Sequence, residues 1–142
     1  MRLFAIGDLH LSGHPPKKPM EIFGPRWKNH WQRIQEDWKN RVTDEDVVLI
    51  AGDTSWAMHL KDAQEDLDEI RALPGQKLII RGNHDYWWKS ITRIRESVPE
   101  NCFFLQNDAV RIENYVFCGS RSWLVPGSPD FGDSDKKLFL RE

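Results

Sequence analysis

Residues 47–53 read VVLIAGD, a continuous apolar run that ends in glycine and aspartate. Runs of this kind are typical of strands that are buried on both faces of a parallel sheet. Two similar runs occupy residues 3–8 and 78–83, which read LFAIGD and LIIRGN. We therefore predict three buried strands, over residues 3–6, 47–51 and 78–80, each followed by glycine and a polar side chain.

Helical patterns separate and follow these runs. The spacing of five apolar residues by four, three, four and four predicts an amphipathic helix between the first two strands. A second helix is predicted over about residues 61–72, before Pro74 and Gly75, and a third helix follows strand 78–80. The inward-facing residues are predicted to be Trp27, Trp31, Ile34, Trp38 and Val42 in the first helix, Ala63, Leu67 and Ile70 in the second, and Trp88, Ile91, Ile94 and Val98 in the third.

The pattern changes after Pro99 to short apolar runs over residues 102–105, 109–112 and 115–119. The last two are separated by Glu113 and Asn114, which predicts a hairpin with a tight turn. Residues 126–134 are predicted to form a loop, and residues 135–142 to begin a helix. Strand–helix alternation followed by a hairpin predicts an α/β fold, a layered sandwich in which a mixed β-sheet is flanked by helices.

The composition is that of a globular protein, with 39% hydrophobic and 30% charged residues among 142. A formal net charge of −2 counts against tight binding of long nucleic acid. The short amino-terminal run is not a signal peptide and no run reaches bilayer length, so we expect a cytoplasmic protein with no membrane partner. Cys102 and Cys118 could form a disulfide or half of a zinc site, but we predict two small buried apolar side chains.

Three polar motifs follow the three predicted strands: Asp8-Leu9-His10, Gly52-Asp53, and Gly82-Asn83-His84-Asp85. The carboxyl ends of such strands face one crevice, where ligands bind in open α/β sheets. Side chains two residues apart on an extended chain point the same way, so the first motif can place both groups on one ion. Imidazole and carboxylate together suit Mn, Fe or Zn. Each motif alone has an ordinary structural explanation, as a helix cap or a turn, but all three in this order predict a metal site.

In this order the motifs D-x-H, G-D-x-x and G-N-H-[D/E] resemble the calcineurin-like metallophosphoesterase superfamily. Trp56 and the residues after the third motif resemble a bacterial subgroup of predicted phosphohydrolases within it. The resemblance implies two divalent metal ions, Mn, Fe or Zn, which activate a water for hydrolysis of phosphate monoesters or diesters. It also implies the following roles: Asp8 and His10 on the first metal, Asp53 bridging both, Asn83 on the second, His84 at the substrate phosphate and leaving oxygen, and Asp85 orienting His84.

Aromatic residues beside the motifs are candidates for the substrate pocket. Trp56 and Trp87 each neighbour a metal motif and could stack on a base or ring of the substrate. Packing in the core is the equal alternative for both. With Asn83 and His84 they complete the predicted substrate-binding set, which would hold a small-molecule or nucleotide phosphate ester.

The family pattern continues with another histidine and a Gly-His-x-His motif, whereas no histidine follows His84 in this chain. We therefore expect residues 1–142 to form a single but incomplete domain that lacks the second half of the fold. The second metal should bind weakly, and activity of this chain alone should be low or absent. Half a layered fold also leaves apolar surface open, which a second copy of the chain could cover.

Three functions remain open at this point. The leading one is a hydrolase of phosphate esters on small molecules or nucleotides, with the enzyme being the complete parent protein. A nuclease shares the three motifs, although the acidic net charge counts against it. A binding module that has lost catalysis is the third, and the intact motifs count against that reading.

Overall fold

Four parallel strands build the main sheet of the computed structural model, which describes residues 1–97 and 100–142. Ile6 lies opposite Ile50, and Ile50 lies opposite Ile79, so three strands end at nearly the same level. The polar motifs that follow these strands consequently begin at one edge of the sheet. In spatial order the strands are β1 (Leu3–Ile6), β2 (Val47–Ile50), β3 (Gln76–Ile80) and β4 (Cys102–Leu105).

A separate antiparallel hairpin follows the main sheet, formed by β5 (Asp108–Ile112) and β6 (Tyr115–Gly119). We expected one mixed sheet, but the described strands divide into a parallel sheet and this two-stranded one. The chain reverses directly after β4, where Asn107 has a φ of 56°. After this reversal the hairpin lies on the face of the sheet and not at its edge. The packing of Val110, Ile112 and Phe117 against that face shows this.

The helices match the predicted pattern with small shifts at their ends. Trp31 and Trp38 are buried by the first helix as predicted, whereas Trp27 lies before it in a short 3₁₀ turn. Trp88 likewise lies before the third helix, and Val98 is outside the described residues. The helices are α1 (His30–Arg41), α2 (Leu60–Arg71), α3 (Ile91–Ser97) and α4 (Asp133–Arg141).

Alternation along the strands divides the core into two layers. On one face, Val48, Ile50, Ile79 and Phe104 join the cluster that includes buried residues of α1, α2 and α3. On the other face, a smaller cluster of Val47, Leu78, Leu105 and Ile112 joins the sheet to the hairpin. This alternation is the period of two expected for strands covered on both faces.

The hairpin leaves part of its face of the sheet open at β1, where Leu3 is 49% exposed. This agrees with the expected open apolar surface, and a second copy that covers it stays a prediction.

Both cysteines are free; burial raises the pKa of the Cys102 thiol to about 11, whereas Cys118 is exposed, against our expectation. No helix within residues 1–97 and 100–142 has the length and apolar character that a membrane crossing requires.

Asp46 fastens the amino-terminal segment to the start of β2. Its carboxylate accepts hydrogen bonds from the Arg2 backbone N–H at 2.7 Å, the Arg2 Nη2 at 2.8 Å and the Thr43 backbone N–H at 2.9 Å. The hydrogen bond from the Arg2 side chain is the largest of the effects that hold the pKa of Asp46 well below its usual range. The folded state is therefore stabilised by the ionised form of this residue.

We expect Asp46→Asn to destabilise the protein near neutral pH and to matter progressively less in acid. Because the folded pKa lies below the unfolded value of about 3.9, the stabilisation is complete above about pH 5 and is lost as the pH falls toward the folded pKa. Urea unfolding from about pH 7 to about pH 2.5 should show the gap between wild type and Asp46→Asn closing. Asp44→Asn, at an exposed neighbour, is the control; a gap independent of pH would contradict the prediction.

Candidate metal centre

The loops that follow β1 and β2 run side by side and are joined by backbone hydrogen bonds. The N–H of Asp8 donates to the Gly52 carbonyl at 3.1 Å, and the N–H of His10 donates to the Asp53 carbonyl at 2.9 Å. The Leu11 N–H continues the series with the Thr54 carbonyl at 3.0 Å. The first two motifs are thus fixed relative to each other by main-chain bonds, independently of any ligand.

Three ligand-type side chains converge where these loops meet. The donor atoms of Asp8, His10 and Asp53 all lie within 4.8 Å of one another. The His10 Nε2 is 3.4 Å from the Asp8 Oδ1 and 3.9 Å from the Asp53 Oδ2. The Asp8 side chain is 71% exposed, whereas those of His10 and Asp53 are largely covered. The group is therefore open on one side and supported on the other, as a metal centre that admits a substrate must be.

All three of these residues have a left-handed backbone. The φ angles are 56° at Asp8, 48° at His10 and 51° at Asp53. Residues other than glycine rarely adopt this conformation, and such strained positions cluster at functional sites. The main-chain bonds between the two loops hold this geometry, which brings the three side chains to one point.

The third motif approaches the second so closely that both must have glycine at the contact. A Cβ atom on Gly52, whose φ is 91°, would lie 2.6 Å from the Gly82 Cα, and a Cβ on Gly82 would lie 2.0 Å from the Asp53 Oδ1. The same approach lets the His84 N–H donate to the Asp53 Oδ1 at 2.8 Å. One oxygen of Asp53 is thus held by the third motif, while the other faces His10.

The His84 ring lies among the side chains of the site. Its centroid is 5.9 Å from that of His10, 5.1 Å from the Trp56 ring and 6.1 Å from the Tyr86 ring. The Nδ1 atom of His84 is buried and has no hydrogen-bond partner among the described residues. Asn83 is exposed on the same loop, between Gly82 and His84.

Asp85 has a different role from the orienting one that the resemblance implied. Its carboxylate is completely buried and accepts hydrogen bonds from the N–H groups of Thr54 (2.8 Å), Ser55 (3.2 Å) and Gly82 (2.8 Å) and from the Trp87 Nε1 (3.0 Å). Burial raises the pKa of Asp85, and these donors act against that shift. The carboxylate therefore links the second motif to the third. Among the described residues its hydrogen bonds come from these four donors and not from the His84 side chain.

The two tryptophans proposed for the substrate pocket are separated by the fold. Trp87 is 1% exposed and packs in the core against Trp88 and Phe104, so the expectation that it stacks on substrate is wrong. Trp56 stacks on the His10 ring at a centroid distance of 4.7 Å and an interplanar angle of 22°. Only Trp56 of the pair therefore lies at the metal centre.

The fold and this convergence of ligands agree with a comparison to known families. The family model for calcineurin-like phosphoesterases matches residues 1–141. The chain belongs to the calcineurin-like phosphoesterase family. A solved structure of a protein of unknown function from Aquifex aeolicus is similar, with a TM-score of 0.53 and 23% identity over 82% of this chain and 58% of that one. At that identity the similarity concerns the fold, and no curated protein matches the chain.

Two residues of the predicted first helical pattern also lie at the site. His30 is half-buried, and its Nε2 is 2.9 Å from the carbonyl oxygen of Leu9, the residue between Asp8 and His10. Trp27 lies edge-on to both His10 and His30, at 6.4 and 5.2 Å. The break of the helix at Asn29, whose φ is 50°, turns Trp27 toward the first motif.

A buried acid on α2 supports the back of the centre. Asp66 accepts hydrogen bonds from the Ser55 hydroxyl at 2.5 Å and from the Gly13 N–H at 2.8 Å. Burial raises the pKa of Asp66, which these two donors oppose. The residue ties the segments that follow the first and second motifs to one helix.

The residues of this site fit a divalent metal. Two carboxylates and an imidazole nitrogen are the donors that first-row divalent ions prefer. The His10 Nδ1 is buried without a hydrogen-bond partner among the described residues, while its Nε2 faces both carboxylates. The two carboxylates repel each other at this distance, and a cation between them removes that repulsion.

Proposed function

We propose that this protein hydrolyses phosphate monoesters or diesters with the help of divalent metal ions. The observation that carries the proposal is the convergence of Asp8, His10 and Asp53 within 4.8 Å at the carboxyl edge of a parallel sheet. The family supports the reaction class, because calcineurin-like phosphoesterases act on phosphate esters. When bound, such ions acidify a water molecule and neutralise charge on the phosphoryl oxygens.

Four side chains of this protein would bind the metal ions. Asp8, His10 and Asp53 would hold the first ion, with Asp53 kept in place by the His84 N–H. Asn83 offers an amide oxygen on the adjoining loop and would share a second ion with Asp53. The donors available to the second ion are fewer, so we expect it to bind more weakly than the first.

His84 is the proposed acid for the leaving oxygen of the substrate. It lies beside the ligand cluster, 5.9 Å between ring centroids from His10, and its partly buried ring is flanked by Trp56 and Tyr86. A histidine in this position can donate a proton to a developing alkoxide or phenoxide. Trp56 supports both histidine rings, and Tyr86 is the exposed ring that a substrate would meet next to His84.

The test is metal-dependent hydrolysis of bis-(4-nitrophenyl) phosphate and 4-nitrophenyl phosphate by the 142-residue chain. Because the second ion has few donors in this chain, we expect release of nitrophenolate to be slow, to require Mn²⁺, Fe²⁺ or Zn²⁺, to stop with EDTA and to be restored by added metal. The ratio of the two rates distinguishes diester from monoester preference. As a control, His59→Ala should hydrolyse both esters at the wild-type rate, because His59 is exposed at the start of α2 outside the ligand cluster. Equal rates with EDTA and with metal, or no release with any metal, would contradict the proposal.

A further inference from the structure

Two arginines lie at the same end of the molecule as the metal centre. Arg81 follows β3 directly and precedes Gly82, whose backbone contacts Asp53. Arg121 is the second residue after β6, and the end of that strand lies on β3. A Cβ atom on Gly119 would be only 2.9 Å from the Ile80 Cγ2, so the two chain segments that lead into the arginines are in contact.

Both guanidinium groups are half-buried, and neither forms an ion pair with a carboxylate in the part of the chain that the structure describes. The Nε atom of each is buried and has no hydrogen-bond partner among the described residues. The ion pairs formed by carboxylates in residues 1–97 and 100–142 involve other cationic side chains than these two. Arg121 instead lies over the Trp123 ring at 4.3 Å, a contact that leaves its N–H donors free.

The same charged groups, among them Glu142 and Asp85, act on both arginines. Burial is the main effect that lowers the pKa of Arg81, and the charge of Arg121 lowers it further. The carboxylates of Glu142, Asp53 and Asp85 act on Arg121 in the opposite direction, without pairing with it. Arg121 therefore lies within the field of the metal-binding carboxylate Asp53.

Two neighbouring cations that are partly removed from water and lack partners destabilise a fold. An anion between them would supply the missing hydrogen bonds, and the planar fork of arginine matches the oxygen atoms of phosphate. We propose that Arg81 and Arg121 form a phosphate-binding site beside the metal centre. Its part in catalysis, holding the phosphoryl group of the ester, rests on the proposed function; its existence as an anion site does not.

Substitution of Glu142 provides an independent test of this site. Its Oε1 pairs with the Arg141 Nη2 at 2.8 Å, whereas its Oε2 is buried without a partner among the described residues. The carboxylate acts on both Arg81 and Arg121 with a charge that opposes a bound anion. Removing this charge should strengthen phosphate binding, an effect that misfolding cannot imitate.

The experiment is isothermal titration of inorganic phosphate into the metal-free protein, after dialysis against EDTA. We expect Arg81→Gln and Arg121→Gln each to weaken phosphate binding by about 10-fold, the size of one charge-assisted hydrogen bond. Glu142→Gln should bind phosphate more tightly than wild type. Arg111→Gln, on the exposed side of β5, should bind it as wild type does.

Thermal unfolding of Arg81→Gln and Arg121→Gln without phosphate should show no loss of stability, because each glutamine removes a half-buried charge whose Nε has no hydrogen-bond partner among the described residues. Absence of phosphate binding by the metal-free wild type would overturn the inference, as would unchanged binding by the Arg81→Gln, Arg121→Gln double variant. Failure of the proposed function would look different. In that case phosphate binding would remain sensitive to the two arginines while no metal supported hydrolysis of either nitrophenyl ester.

Discussion

Asp53→Asn is expected to abolish metal-dependent hydrolysis and to lower the affinity for Mn²⁺ by about 100-fold or more. Changes to residues that only support a ligand already cost 10–100-fold in metal affinity or activity, and Asp53 is a ligand itself. Asparagine keeps the shape and an oxygen for the His84 N–H, and it tolerates the φ of 51° at this position. The substitution therefore removes the charge and leaves the backbone of the site in place.

Mn²⁺ titration of the metal-free protein and hydrolysis of bis-(4-nitrophenyl) phosphate measure the two effects separately. Asp37→Asn is the matched control, because Asp37 is exposed on α1 and pairs only with Arg41 on the same helix. Exposed pairs of this kind contribute little, so the control should keep both affinity and rate. If Asp53→Asn bound Mn²⁺ with wild-type affinity, Asp53 would not be a ligand of the metal ion.

Asp85→Ala is expected to cause the largest loss of stability among single substitutions at the site, about 3 kcal/mol or more in the free energy of unfolding. The change leaves the N–H groups of Thr54, Ser55 and Gly82 and the Trp87 indole without their acceptor. Each unsatisfied buried donor costs about 1–3 kcal/mol. Because the lost bonds join the second and third motifs, metal affinity should fall as well.

Urea unfolding followed by tryptophan fluorescence measures this loss. The matched control is Asp68→Ala on the exposed side of α2, where the Asp68 side chain contacts Arg71 and Gln64 of the same helix. Exposed substitutions of this kind usually change stability by less than about 0.5 kcal/mol. A similar, small loss in Asp85→Ala would show that its hydrogen bonds do not hold the two motifs together.

The local pattern of apolar residues was enough to predict where several strands and helices lie. β1, β4 and β6 begin and end where the runs of apolar residues do, and α2 is displaced by one residue. These elements are set by burial of a face or a stripe, which leaves a period of two or 3.6 in the sequence. The order of the first two motifs after their strands likewise predicted that Asp8, His10 and Asp53 would converge.

Other features depended on contacts between segments distant in sequence. Trp56 and Trp87 are equally near to a metal motif along the chain, yet one stacks on His10 and the other is buried beside Phe104. Two of the partners of Asp85, Ser55 and Thr54, come from a loop at sequence separations of 30 and 31. Such partners leave no periodic signal in the sequence, because they follow from how the loops are arranged around one another.

Taken by itself, the sequence determined the α/β class, the strands and helices, and the Asp8, His10 and Asp53 cluster, because each depends on local spacing and on the shared edge of parallel strands. Only the tertiary structure decided that the hairpin forms its own layer, that Asp85 is a link between loops, and that Arg81 and Arg121 share an unpaired, half-buried environment. These features result from burial and from hydrogen bonds across long separations, which amino-acid order does not display.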